Sequence, residues 1–122
     1  SSYAEDYDVV GVTEGTLGSY EVYILELEAT SNEVTYPREL MWVTRDLLLP
    51  LKMEDYSETG RLLRTSLFPS YARAGDNYIA TTMIFIDELV EGKTTQLTIT
   101  DISLDTLPDS VFTKSYVERV NR

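Results

Sequence analysis

Neither cysteine nor histidine occurs in the 122 residues. That absence removes disulfides, thiol nucleophiles, Cys/His zinc sites and histidine general bases together, and with them most familiar catalytic machinery. Cations are scarce as well: 10 Lys and Arg stand against 21 Asp and Glu, for a net charge of −11. Such a surface repels phosphate backbones and anionic headgroups, and the few basic residues form no stripe, so nucleic acid is not an expected partner. No run approaches the ~18 apolar residues that cross a bilayer as a helix. The opening Ser1-Ser2-Tyr3-Ala4-Glu5-Asp6 lacks the basic and apolar regions of a signal peptide, so the expected chain is a mature or trimmed one.

Motifs for catalysis are missing too. No G-x-S-x-G elbow surrounds a serine, no S-x-x-K occurs, and Ser110 and Lys114 stand one residue too far apart for it. Gly11, Gly15 and Gly18 are followed by no Lys-Ser/Thr pair and open no helix, which favours a loose hairpin loop over a phosphate cradle. Asp101 and Asp105 lack the spacing and turn glycine of a calcium loop. With 21 carboxylates, a pair at glycosidase spacing arises from abundance alone. Glu26, Glu28, Glu54, Asp55 and Glu58 read as a solvated face and turn. No cofactor is expected and no enzyme.

What the chain has is strand text. Hydrophobic residues make up 43% and charged residues 25%, the balance of a folded domain, and a chain of this length fits one domain that buries about two-thirds of its unfolded surface. Runs rich in Val, Ile, Thr and Tyr predict strands near 7–13, 19–29, 38–45, 48–56, 60–68, 77–88 and 93–104, separated by Gly, Asn, Asp and Ser turns. Short connections favour a hairpin meander. Pro108 is expected to open a helical turn, and Thr113 to cap a final helical segment over 114–120.

Several strands are longer than usual and apolar on both faces near the middle, as in Ile79-Ala80-Thr81-Thr82-Met83-Ile84-Phe85-Ile86 and Val22-Tyr23-Ile24-Leu25. Two-faced strands need cover from a helix, a second sheet or a ligand. The large apolar residues on them, Ile24, Trp42, Leu62, Met83, Phe85, Leu97 and Ile99, are therefore candidates to line an apolar cavity as well as ordinary core. Met adapts to partners of variable shape.

The order of three segments then resembles a known family. Tyr23-Ile24-Leu25-Glu26-Leu27, Leu40-Met41-Trp42-Val43, and Leu49-Pro50-Leu51-Lys52-Met53-Glu54-Asp55-Tyr56 with Gly60, followed by the ending Leu107-Pro108-Asp109-Ser110-Val111-Phe112-Thr113, resemble the bacterial outer-membrane lipoprotein-sorting proteins of the LolA-like superfamily. The similarity spans roughly 20–116, and departs from the pattern at Thr44, where such proteins often carry Asp. It implies a mainly β fold, α+β if complete: an antiparallel curved sheet or unclosed half-barrel with a short C-terminal helical segment. It also implies that 1–122 is one domain, the C-terminal portion of a longer LolA-like domain. The implied role is a periplasmic carrier of lipid or lipoprotein acyl chains, without bond chemistry, working with a membrane transporter or envelope protein. An exposed sheet edge would invite a homodimer. The alternative is a protein-interaction or envelope-sensing module on the same curved sheet.

Overall fold

The computed structural model describes residues 6–99. Seven antiparallel strands run in chain order, β1 Tyr7–Leu17, β2 Tyr20–Ala29, β3 Arg38–Thr44, β4 Pro50–Tyr56, β5 Leu62–Ala74, β6 Asn77–Asp87 and β7 Thr94–Thr98. They form one sheet in which every strand pairs with its sequence neighbours, so β1 and β7 are its edges and the sheet is unclosed. The expected meander is present. β7 ends at Thr98, with the described Ile99 already outside it; positions 100–104 of the expected strand, the helical turn at Pro108 and the segment 114–120 lie outside the described residues.

Several boundaries differ from the sequence expectation by a residue or more, and three of them have a clear local reason. β1 runs on to Leu17 because Leu17 pairs with Tyr20, so the reversal takes only Gly18 and Ser19, with Gly18 at φ 60°. A glycine in that conformation at the first loop position is what a two-residue II′ hairpin requires. β4 begins at Pro50 rather than 48 because Leu48 takes a left-handed φ of 57°. β5 continues past Pro69 to Ala74 because the ladder to β6 is irregular between Leu67 and Ser70, where the missing amide hydrogen breaks no bond.

Register sorts the side chains between two faces, since directly paired residues project to the same side. Of the buried apolar residues Val22, Leu27, Val43, Met53, Met83, Leu97 and Ile99, all but Val22 fall on one face, here called inner. Val22 lies on the other face, paired on one side with Gly15 and on the other with Thr44.

Candidate functional site

The inner face is organised in rows that cross the strands. One row is apolar: Leu25, Met41, Met53, Ser66, Phe85 and Thr95 are paired in succession from β2 to β7. At its β6–β7 end Met83, Leu97 and Ile99 form a buried cluster, with Phe68, Ala80 and Phe85 packed against it. Non-directional packing of this kind is held together by area removed from water, about 25 cal/mol per Å².

Two residues along each strand lies a row of different chemistry: Leu27, Glu39, Asp55, Arg64 and Asp87. Asp55 is fully buried and Glu39 is 2% exposed. Arg64 Nε donates to Asp55 Oδ2 at 2.8 Å, and the guanidinium lies over the rings of Tyr36 at 4.8 Å and Phe85 at 5.7 Å. The row ends where Lys93 Nζ approaches Asp87 at 3.7 Å. Glu39 Oε1 and Asp55 Oδ1 are buried without a partner among the described residues when both groups are read as carboxylates. A single proton between them satisfies both oxygens. Burial pushes the Glu39 carboxyl up to about 9, assisted by the hydrogen bond and negative charge of Asp55, while the nearby polar hydroxyl of Tyr7 and the charge of Arg64 oppose the rise. At neutral pH Glu39 therefore holds the proton, and the row balances: Arg64 against Asp55, Lys93 against Asp87.

A cleft of about 570 Å³ opens beside the charged row, walled by Asp6, Tyr7, Glu33, Tyr36, Glu39 and Arg64. A second cleft of about 270 Å³ adjoins it, sharing Tyr36 and Arg64 and adding Leu63, Phe85 and Leu89. Tyr7 helps to shape the first by donating from its hydroxyl to the Tyr36 carbonyl at 2.7 Å.

The seven apolar candidates divide between the faces. Met83, Phe85, Leu97 and Ile99 come together on the inner face. Ile24 and Trp42 are paired with one another on the opposite, outer face, where Lys52 Nζ sits 4.6 Å from the Trp42 ring centroid and also 3.5 Å from Glu54. Leu62 is on that outer face too, opposite Tyr56. The Tyr56 hydroxyl donates to Glu54 at 2.6 Å, and burial followed by that bond pushes its phenol up to about 12. The outer face is thus a polar-laced surface rather than part of the same apolar patch.

The sequence reading missed the charged row. It placed Asp55 on a solvated face, whereas the structure buries it. The signal was strand parity: Asp55 shares its side of β4 with Met53, and Glu39 shares its side of β3 with Met41 and Val43.

Comparison with known proteins agrees with this architecture. A family model described as "-like: Uncharacterized protein" matches residues 1–119, and the chain belongs to that family. A LolA superfamily protein from Nitrosomonas europaea superposes at a TM-score of 0.73 with 33% identity, over 93% of this chain and 52% of its own. An outer membrane lipoprotein-sorting domain assignment describes the match from Vibrio parahaemolyticus, at 0.75 and 28%, over 93% and 49%. A DUF1329 family protein from Desulfovibrio piger matches at 0.60 and 27%, over 67% and 35%. This is a LolA-like chain. It spans about half the length of these two LolA-like structures. No curated protein matches it.

Proposed function

We infer that this LolA-like chain is a periplasmic binding or carrier domain for lipid or lipoprotein acyl chains, acting without bond chemistry. The observation that supports it most directly is the apolar row on the inner face, ending in the Met83–Leu97–Ile99 cluster with Phe85 against it. A methylene moved from water onto such a surface gains about 0.8 kcal/mol, enough to hold a chain and still release it to a better acceptor. Phe85, only partly buried, is the proposed first tail contact, with the buried Met83, Leu97 and Ile99 behind it; Ile24, Trp42 and Leu62 are not proposed contacts. A membrane transporter or envelope protein would supply and receive the cargo.

Edge strand β1 presents exposed Val9, Val10 and Val12, and an edge of this kind, unpaired among the described residues, accepts an added strand. A homodimer would form there. Native mass spectrometry of the purified chain, with organic extraction, reads cargo and oligomeric state together. Titration with a fluorescent fatty-acid analogue then measures binding. Phe85→Ala is expected to weaken probe binding about tenfold, and Trp42→Ala to leave it within about twofold. Absence of both co-purified lipid and saturable binding would overturn the carrier reading and leave protein docking as the use of the sheet.

A further inference from the structure

We propose that the cleft beside the charged row receives the ammonium group of an amphiphile whose tail lies on the apolar row, so that the cargo of this face is a lipid with a cationic amine. The inference rests on the carrier reading and names its substrate class. Three observations carry it.

First, the cleft is acidic. Asp6, Glu33 and Glu39 stand on its walls with the rings of Tyr7 and Tyr36, and carboxylates with aromatic faces are the surroundings that favour an organic cation. Among the described residues the single cation in the wall is Arg64, whose Nε is engaged by Asp55 and whose guanidinium is stacked on Tyr36 and Phe85. An anionic headgroup in the cleft would face the carboxylates of Asp6 and Glu33.

Second, Glu39 is 2% exposed and its Oε1 has no partner among the described residues. With Asp55 paired to Arg64 and Asp87 to Lys93, a negative charge on Glu39 has no ion-pair partner of its own among the described residues, since Arg64, the cation nearest to it, is already engaged by Asp55. In the free protein a proton fills that place. An ammonium in the cleft supplies the same positive charge, and turning the Glu39 carboxylate from Asp55 toward the cleft gives the ammonium a buried acceptor. Groups facing Glu39 are Asp55 on β4, Arg64 on β5 and Tyr7 on β1, with apolar Leu27 opposite on β2.

Third, the head and tail positions are continuous. Tyr36 and Arg64 wall both clefts, and Phe85 lines the second cleft while packing against the Met83–Leu97–Ile99 cluster. An alkyl chain on the cluster therefore leads past Arg64 to the acidic cleft without crossing a strand edge.

The test compares dodecylammonium with dodecanoate, below their micellar concentrations, as competitors of a neutral fluorescent apolar probe. The ammonium is expected to bind about tenfold more tightly than the carboxylate, the effect of one charge-assisted hydrogen bond. Glu39→Gln, which retains a donor toward Asp55, is expected to reduce that preference to about twofold while the probe still binds. Calorimetry in buffers of different ionisation enthalpy should find roughly one proton released per ammonium bound near neutral pH by the wild type, and none by the variant. Equal affinities, tighter dodecanoate or no proton release overturns the amine assignment and leaves the carrier reading standing. Failure of the probe and both amphiphiles to bind overturns the carrier reading itself.

Discussion

Two neighbouring rows of the inner face share the same strands and differ in almost everything else. Met41, Met53 and Phe85 occupy one, Glu39, Asp55 and Arg64 the other, and on β4 Met53 and Asp55 are separated by a single residue. The apolar row is held by area, which demands no particular geometry of its members. In the charged row each member has a specified partner, so a strand that slips by one residue loses the whole set. The contrast teaches how one sheet face can be permissive where it is apolar and exact in register where it is charged: directional pairing beside the patch leaves the patch less to specify in the fold.

Breaking the charged row should cost most. Asp55→Ala strands the Arg64 guanidinium and removes the acceptor of the Glu39 proton; a loss of about 2–4 kcal/mol in urea unfolding is expected, below the upper range for buried pairs because Arg64 is partly exposed. Met53→Ala, two residues away, is expected to cost about 2–3 kcal/mol through the cavity it leaves, with the pH dependence of stability unchanged. An altered pH dependence in that variant would erase the distinction between the rows.

The smallest effect sharpens the comparison furthest. Glu39 is raised from 4.5 to about 9 in the folded chain, so between those values the folded state binds more protons than the unfolded one. Stability from this group is complete below about pH 4.5 and is lost as pH rises through about 9. Glu39→Gln is expected to flatten that decline in thermal melts and to gain on the order of 1 kcal/mol near pH 8. A wild-type melting temperature that climbs between pH 6 and about pH 9 would contradict the shared proton.

Much of the fold was legible because its cues are local. Turn residues and β-rich runs locate seven strands, and short loops imply the meander that register confirms. Three of the boundaries that moved did so where the backbone made use of a detail smaller than a strand, at Gly18, Leu48 and Pro69. The apolar candidates were legible as a set but not by face. Trp42 and Phe85 are both large aromatics on long strands, and only the pairing of Trp42 with Ile24 and of Phe85 with Ser66 separates them. Glu39 and Asp55 were hidden by numbers: among 21 carboxylates, the two that matter are marked only by the parity of their apolar neighbours. Partnership across β3, β4 and β5 is a property of register, which no single strand carries.

The strand order has a kinetic side. Since each strand of the described sheet bonds only to the strands before and after it, no long loop has to close before a ladder can form, and loop closure is what slows most all-β chains. The hairpin at Gly75, where Ala74 meets Asn77, can zip on its own, and neighbours can then add one at a time from either side. Assembly of this sheet is accordingly a sequence of local steps, open to completion during synthesis as each successive hairpin leaves the ribosome.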